Sequence, residues 1–447
     1  MIPIASHATV VDLPESPAPQ GLFLSNGNAT VLITRTGTGF TTVGAHQLNV
    51  WSGDRIEDRD GFFIYLRDLD TGTVWSAAWK PVLLVPSSYS AVRRSGAFEI
   101  TRSDDAITTR MEICVHPGMP VELRRIALTN NGDRPRRIEL TSYIEVCLAS
   151  PAAHAAHPAF SKLFVQTGTA MEGRALVATR RPRARGESHP CMIHAFLEAG
   201  DVQYETDRAR FLGRLGDPSL PAALESFAPL SESVGSVLDP VLCLRRVIVL
   251  APGASVASTL LLGTAADRAQ AVGTVRCLSV DGSVDDVFVR AREHETRSLR
   301  QIGLSETQAE YAQAVAAAML YGHPALRGAP EVLARARGRL SDLERIGVSR
   351  SRPFAVIAAQ NPAGSRLLPD LLTMHRYWRS MSLPIDLLVL CDDVEGTRAR
   401  AGAHEGVCFA ADVDIPGAMW DLIAAAARLV VLDRLPDLAA AGSRPQP

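Results

Sequence analysis

Two stretches of the chain alternate between apolar and polar residues with a period of two. In residues 106–115, one parity holds Ile107, Met111, Ile113 and Val115, and the other holds Thr108, Arg110 and Glu112. The same alternation returns over a longer stretch between Ile138 and Leu148. Because successive side chains of a strand point to opposite faces, the first stretch predicts a half-solvated strand and the second a long antiparallel strand.

The segment between these two strands changes parity in its middle. Val121 and Leu123 share one parity, whereas Ile126 and Leu128 share the other. A β-bulge inserts one extra residue into a strand, so the change predicts a bulge at residues 124–125.

Short strand-like runs joined by turn residues continue to about residue 262 and predict a large antiparallel two-sheet sandwich. The period then becomes helical from Val284, and Ser305 with Gln308 matches a capping box that opens a second helix. Apolar runs at 354–359 and 385–390 flank a helical pattern at 367–380, and a further apolar run covers 420–432. These last segments predict a small βαβ-like unit.

The pattern divides the chain into five parts. We expect a flexible arm at 1–20, a β-sandwich at 21–265, a helical linker at 266–345, a small α/β unit at 346–435 and a frayed tail at 436–447.

Charge and cysteine usage narrow the class of protein. The chain has 447 residues and a formal net charge of -2, which gives no electrostatic reason to expect a nucleic acid or an anionic membrane as partner. No stretch is apolar enough to predict a membrane span. The seven cysteines are scattered without a CxxC pair, which is typical of reduced thiols and indicates a cytoplasmic protein.

Two polar-aromatic segments, 157–167 and 203–214, carry the candidate binding chemistry. Each mixes apolar residues with side chains that contact sugars or anions, at a density that neither a solvated loop nor a core strand requires. Trp51 lies among charged residues and is expected to be exposed, whereas Trp75 is expected in the core. The predicted carbohydrate contacts are Phe160, Lys162, Gln203, Tyr204, Asp207, Arg210 and Trp51.

Catalytic and metal chemistry have weaker support. A glycosidase needs two carboxylates beside a cleft, and Glu205 and Asp207 form the nearest pair, but Arg208 and Arg210 explain the pair equally well as ordinary ion pairing. His154 and His157 form an HxxH motif in a loop rich in proline and alanine, without a third ligand at a regular spacing. We therefore predict no catalytic residue, no metal and no cofactor.

Several motifs, in order, resemble cyclic β-1,2-glucan synthases and, more broadly, the family that contains the cellobiose and chitobiose phosphorylases. The resemblance runs from about Leu22 to Leu432, and its motifs are Leu24–Gly27, Phe62–Asp68, Gly72–Trp75, Leu140–Glu145, His157–Thr167, Ala178–Pro182, Gln203–Arg214 and Leu238–Pro240. It implies a fold that is mainly β with α, a large antiparallel two-sheet supersandwich followed by a helical linker and a small α/β unit. In that family the general acid and the phosphate-binding residues lie on an (α/α)6 barrel after the linker, and no such barrel is expected within this sequence.

The resemblance therefore implies a carbohydrate-associated protein that is non-catalytic alone. It would bind a β-glucan or another oligosaccharide, or dock on a subunit that contains a catalytic barrel, and a homodimer is possible. The first alternative is membership of an active glycan-processing enzyme complex. The second is a truncated gene product without activity, which the altered segment Leu343–Arg350 favours.

Overall fold

The computed structural model describes residues 18–402 and 404–438. The predicted arm therefore lies outside the described residues except for 18–20, and the predicted tail except for 436–438. Within the described part, one compact unit comprises residues 23–52 and 57–296, and the other comprises 18–22, 53–56 and 297–438.

Two large sheets form the β-rich part of the chain, and each pairing with a defined register is antiparallel. The first sheet has nine strands: β1 (Gly21–Ser25), β2 (Ala29–Thr34), β3 (Gly39–Val43), β4 (His46–Asn49), β5 (Phe62–Asp68), β6 (Val74–Ser76), β11 (Arg136–Ala149), β15 (Gln203–Asp207) and β16 (Pro240–Leu250). The second has eight: β7 (Ser88–Arg94), β8 (Ala97–Asp104), β9 (Ile107–Val115), β10 (Val121–Asn130), β12 (Val165–Ala170), β13 (Ala175–Arg180), β14 (Cys191–Phe196) and β17 (Ser255–Ala265). The predicted mainly β supersandwich fold is confirmed.

Helices cover the outer faces of both sheets. The helices of this part of the chain are α1 (Pro151–Ala156), α2 (Pro158–Lys162), α3 (Arg208–Leu212), α4 (Ala222–Glu225), α5 (Arg268–Leu278) and α6 (Ser283–Ile302), and the last four cover the sheets. On the first sheet, Phe211 and Leu224 from α3 and α4 pack on Tyr65 and Tyr143. On the second sheet, α5 and α6 cover the outer face in the same way.

The predicted bulge at 124–125 is wrong. β10 pairs with β9 and β17 in continuous register through both positions. Val121 and Leu123 face the helices, while Ile126 and Leu128 share the opposite face with Glu122 and Arg124, which are buried. The parity change therefore arises because a buried charged pair takes the place of apolar residues between the sheets.

His194 links the two sheets across their interface. It lies on β14, is fully buried, and has Nδ1 2.9 Å from the carbonyl of Leu261 and Nε2 2.7 Å from the hydroxyl of Ser142 on β11. Since a carbonyl only accepts, Nδ1 carries the proton and the Ser142 hydroxyl donates to Nε2. Burial lowers the pKa of His194 from 6.5 to about 4.

A buried charged triad fixes α4 and the chain after it to the first sheet. Glu139 accepts a hydrogen bond from Arg67 at 2.8 Å and forms an ion pair with Arg245 at 3.3 Å, and all three side chains are less than 10% exposed. Arg67 Nη1 donates to the carbonyls of Leu224 and Ser226, and Arg245 Nη2 donates to the carbonyl of Ala223. The triad thus anchors a segment that has little regular structure of its own.

The second unit contains a four-stranded parallel sheet in the order β20, β19, β18, β21. Its strands are β18 (Phe354–Ala358), β19 (Asp386–Cys391), β20 (Val407–Ala411) and β21 (Leu429–Val431), and its helices are α7 (Glu306–Leu320), α8 (Pro330–Arg335), α9 (Pro362–Ser380), α10 (Val394–Ala401) and α11 (Gly417–Ala426). Short 3-10 turns cover Pro324–Leu326, Leu340–Ile346 and Asp412–Asp414. The capping box at Ser305 is confirmed, and β20 and α10 were not predicted.

Candidate functional site

The two polar-aromatic segments meet in the structure. The first folds into α2 and β12, and the second into β15 and α3. Their contact point is a buried hydrogen bond of 2.8 Å between the hydroxyls of Thr167 and Thr206. Residues that are distant in sequence are thereby brought to one surface, beside the end of β11.

Four charged side chains form a cluster at this surface, which we call the Glu145 cluster: Glu145, Lys162, Arg208 and Asp239. Lys162 Nζ lies 2.5 Å from Asp239 Oδ1 and 3.6 Å from Glu145 Oε2. Arg208 Nε donates to Glu145 Oε1 at 2.8 Å, and Tyr143 donates its hydroxyl to the same oxygen at 2.7 Å. Two cations and two anions thus neutralise one another.

Electrostatics keep Glu145 ionised. Burial alone would raise the pKa of its carboxyl, but Arg208 and Lys162 outweigh burial and hold the pKa below its usual value. The pKa of Tyr143 is raised well above its usual value by burial and then by the neighbouring Glu145. A carboxylate held ionised in this way is not available as the protonated acid of a glycosidase.

The second segment uses most of its polar groups to hold its own fold. Asp207 caps α3 by accepting from Ala209 N at 2.9 Å, and it lies 3.8 Å from Arg210 Nε in an exposed ion pair. Gln203 Oε1 accepts from Leu230 N at 3.1 Å. Tyr204 is partly buried. Of these side chains, Arg210 is the most accessible, with 59% of its side chain exposed.

Glu205 is enclosed and fully bonded. It is 1% exposed, and its carboxylate accepts from the backbone N–H groups of Thr206 and Asp207 and from the hydroxyls of Ser231 and Ser233. Asp207, in contrast, turns to the start of α3 after a register shift that follows Glu205. The two carboxylates therefore hold separate backbone segments instead of facing a common cleft.

The two aromatic candidates differ in exposure. Phe160 is 52% exposed and packs edge-on against Phe164, with 5.2 Å between ring centroids. Trp51 is partly buried and packs against Phe40 at 4.9 Å, so the expectation that it is exposed is wrong. It follows Val50, whose backbone N–H donates to the backbone carbonyl of Glu145. Trp75 is buried, as predicted.

The HxxH histidines lie in a helical segment and not in a loop. His154 is on α1, and His157 separates α1 from α2. Burial, followed by the charge of Lys162, lowers the pKa of His154. In the part of the chain that the structure describes, no three histidine, cysteine, aspartate or glutamate side chains are grouped to hold a metal ion.

Three members of the Glu145 cluster were not predicted as site residues: Glu145, Arg208 and Asp239. A signal was present for Glu145, since it shares the parity of Tyr143 within a strand that is otherwise strongly apolar. The residue that donates to Glu145 from the second segment, Arg208, lies 63 residues further along the chain. Arg208 was read as a partner of the carboxylates next to it, and the structure pairs it with Glu145 instead.

These observations define a β-supersandwich protein with a neutralised charged cluster beside one sheet. Residues 7–279 match the glycosyl hydrolase 94 supersandwich domain, and the chain belongs to that family.

Curated relatives extend the likeness. The cyclic beta-(1,2)-glucan synthase NdvB of Rhizobium meliloti is 29% identical over 386 residues, which are 85% of this chain and 14% of that protein. Solabiose phosphorylase of Paenibacillus borealis is 27% identical over 54% of this chain and 31% of its own length. N,N'-diacetylchitobiose phosphorylase of Vibrio furnissii is 24% identical over 64% of this chain and 35% of its own length. The chain thus spans about a third or less of the length of these relatives.

A membrane-crossing helix would have to be long and apolar. Among the helices of the described residues, none meets both conditions.

Proposed function

We propose that this protein is a carbohydrate-binding supersandwich protein that does not catalyse a reaction alone. The observation that carries the proposal is the use of its candidate carboxylates. Glu205 accepts four hydrogen bonds, Asp207 caps a helix and Glu145 is paired with two cations. A glycosidase pair needs one carboxyl group that donates a proton and one that faces the substrate or a water, and these three groups serve neither purpose.

The names of the relatives support a glycan as the ligand. They refer to a β-1,2-glucan, to solabiose and to N,N'-diacetylchitobiose. The matched family is itself defined by the supersandwich domain of glycosyl hydrolases. We propose a β-glucan as the ligand. We further propose that the protein docks on a subunit that carries a catalytic barrel, and that the bound glycan thereby reaches an active site.

The proposed contact surface lies beside the Glu145 cluster. Phe160 and Arg210 have the most exposed side chains among the predicted contacts, and Tyr204 is partly exposed. An aromatic face suits the C–H face of a pyranose ring, and a guanidinium donates to its hydroxyls. In this proposal Lys162, together with Gln203 and Asp207, shapes the surface, and Trp51 lies at its border.

Calorimetric titration with linear and cyclic β-1,2-glucans, with and without phosphate, tests the proposal. We expect saturable binding, with no new sugar detected by chromatography of the same samples. The paired substitution Phe160→Ala and Arg210→Ala should weaken binding about tenfold or more, as expected for loss of an aromatic contact and a hydrogen bond. Phe227→Ala is the matched control, because Phe227 is 66% exposed and lies outside the predicted contacts.

The possible outcomes separate the alternatives. Formation of glucose phosphate or of shortened glucans would contradict a non-catalytic role and favour the enzymatic alternative. Absence of binding to every glucan would overturn the carbohydrate-binding role. Equal weakening by the paired substitution and by Phe227→Ala would move the binding surface away from Phe160 and Arg210.

A further inference from the structure

A second candidate binding place lies in the second unit, between helices α9 and α10. It is a cavity of about 690 Å³, which we call the α9–α10 cavity. Small-ligand pockets have volumes of roughly 300–1,000 Å³, so the cavity has room for one small ligand. Its lining includes Ala359, which follows β18, and Cys391, the last residue of β19. Open α/β sheets bind ligands outside the carboxyl ends of their parallel strands, and one end of this cavity lies there.

The two helices run in the same direction along the cavity. Helix α9 connects β18 to β19, and α10 connects β19 to β20, all three strands being parallel. Right-handed crossovers that continue in one direction place both helices on the same face of the sheet. The C-terminal parts of α9 and α10 therefore lie at the same end of the cavity.

An arginine from each helix lines this end. Arg400 is in the last turn of α10, and Arg376 is in the second half of α9. Arg376 Nη2 donates to Thr373 Oγ1 at 3.0 Å. Arg400 Nη2 donates to Thr397 Oγ1 at 3.1 Å. The same arrangement, an arginine held by the threonine three residues before it, thus occurs on both walls of one cavity.

Neither of these two guanidinium groups forms an ion pair with any residue that the structure describes. Other arginines of the same unit do, since Arg352 pairs with Asp386 and Arg379 pairs with Glu405. A guanidinium has five N–H donors, so Nε and Nη1 of Arg376 and of Arg400 remain available to a ligand.

Two unpaired positive charges on facing helices fit a phosphate monoester. At neutral pH its phosphate carries a charge of about -1.5 to -2 and three acceptor oxygens. A carboxylate carries a single charge and two oxygens, which one guanidinium satisfies in a bidentate pair. The presence of a second guanidinium therefore favours a phosphate over a carboxylate.

The other end of the cavity carries carboxylates. Asp392 and Asp393 also line the cavity, and they follow β19 directly. Asp393 caps α10 by accepting from Gly396 N at 2.8 Å, and Asp392 is exposed. Arg400 comes seven residues after Asp393, which is about 10 Å along the helix. Because ionised carboxylates only accept hydrogen bonds, this end suits the hydroxyl groups of a ligand and disfavours a second phosphate.

We infer that the α9–α10 cavity binds a small phosphorylated polyol, such as a hexose phosphate. The phosphate lies between Arg376 and Arg400, and hydroxyl groups at the other end of the ligand donate to Asp392 and Asp393. This inference goes beyond the proposed function, because it concerns another unit of the chain and another ligand, and glucan binding does not depend on it.

Calorimetric titration of the whole chain with glucose 6-phosphate tests the inference, with inorganic phosphate, glucose and glucuronate as comparison probes. We expect saturable binding of glucose 6-phosphate and weaker binding of each comparison probe, because none of them fills both ends of the cavity and supplies a phosphate. Binding of the ester should strengthen between about pH 5 and about pH 7.5, since the second pKa of a phosphate ester is about 6 and the dianion matches the two arginines.

Variants of the two arginines give an independent readout. Arg376→Gln and Arg400→Gln should each weaken binding of glucose 6-phosphate about tenfold or more, as expected for loss of hydrogen bonds between charged groups. Both side chains are exposed, so we expect the melting temperatures to stay close to that of the wild-type protein. The matched controls Arg366→Gln and Arg398→Gln make the same charge change on the same helices, outside the cavity lining, and should leave the affinity unchanged.

The remaining outcomes are distinguishable. Absence of saturable binding of glucose 6-phosphate, or unchanged affinity in both cavity variants, would overturn the inference and leave the proposed function standing. Equal affinity for inorganic phosphate or for glucuronate would also overturn it, because the ligand would then be a free anion or a carboxylate. Normal binding of glucose 6-phosphate without binding of any glucan would overturn the proposed function alone.

Discussion

The stability of the supersandwich should decrease when the solution is acidified below pH 6.5, because His194 cannot take up a proton while it is buried. Its pKa is 6.5 in the unfolded chain and about 4 in the folded one. Between these values the unfolded chain binds a proton that the folded chain does not, so acid favours unfolding. The pKa values differ by about 2.5, and at about 1.36 kcal/mol for each unit of pH the loss is about 3 kcal/mol. It is complete near pH 4 and absent above pH 6.5.

The variant His194→Asn isolates this effect. Its amide keeps a donor for the carbonyl of Leu261 but does not titrate, and the loss of the Ser142 hydrogen bond should cost about 1–3 kcal/mol at pH 7. His375, whose pKa is also lowered to about 4 by burial, titrates equally in both proteins and cancels in the comparison.

Urea unfolding of both proteins at several pH values between 7 and 4 provides the assay. We expect the wild-type protein to lose about 3 kcal/mol relative to the variant as the pH falls from 6.5 to 4, so the deficit of the variant should vanish or change sign, because only the wild-type protein loses the contribution of His194. A deficit that stays constant over this range would refute the reasoning, since it would mean that the imidazole is protonated equally in both states.

Two further changes test the packing of the supersandwich. Glu139→Leu leaves two buried guanidinium groups without their carboxylate and should lower the free energy of unfolding by about 3–5 kcal/mol in urea titrations. The control Glu57→Gln removes an exposed ion pair and should lower it by less than about 1 kcal/mol. Equal losses in the two variants would contradict a structural role for the triad. Gly96→Ala places a Cβ 2.5 Å from the backbone of α6, at a residue whose φ is +69°. It should reduce the melting temperature more than Gly72→Ala, because Gly72 has a similar φ of +77° but open space around it. Equal melting temperatures of the two variants would refute the close approach.

The strands could be predicted from the sequence where most side chains on one face of the sheet are apolar. β9 alternates in burial as its sequence alternates in polarity. β10 was misread because Glu122 and Arg124 lie on the buried face, where Arg124 donates to Glu122 at 2.6 Å. Hydrophobic periodicity predicts that charged residues are exposed. The prediction fails where two opposite charges pair with each other inside the protein.

The candidate site was predicted only in part, for a related reason. The two segments that meet beside β11 were recognised by composition, and Lys162 is a member of the Glu145 cluster. Its partner Asp239 lies 77 residues away, and a single sequence carries no measure of pairing over that separation. The assignment of Glu205 as a possible acid likewise depended on neighbours in sequence, while its bonding partners Ser231 and Ser233 lie on a later loop.

The helices behind the second sheet decide where this chain can be divided. The region that matches the family ends at residue 279, but Val287 and Ala291 of α6 lie beyond it and are 2% and 5% exposed in the cluster that includes Val121 and Leu123. A fragment that ends at the family boundary would expose this apolar part of the sheet to solvent, and the exposed surface would favour self-association. A soluble fragment of the sandwich therefore has to extend through α6.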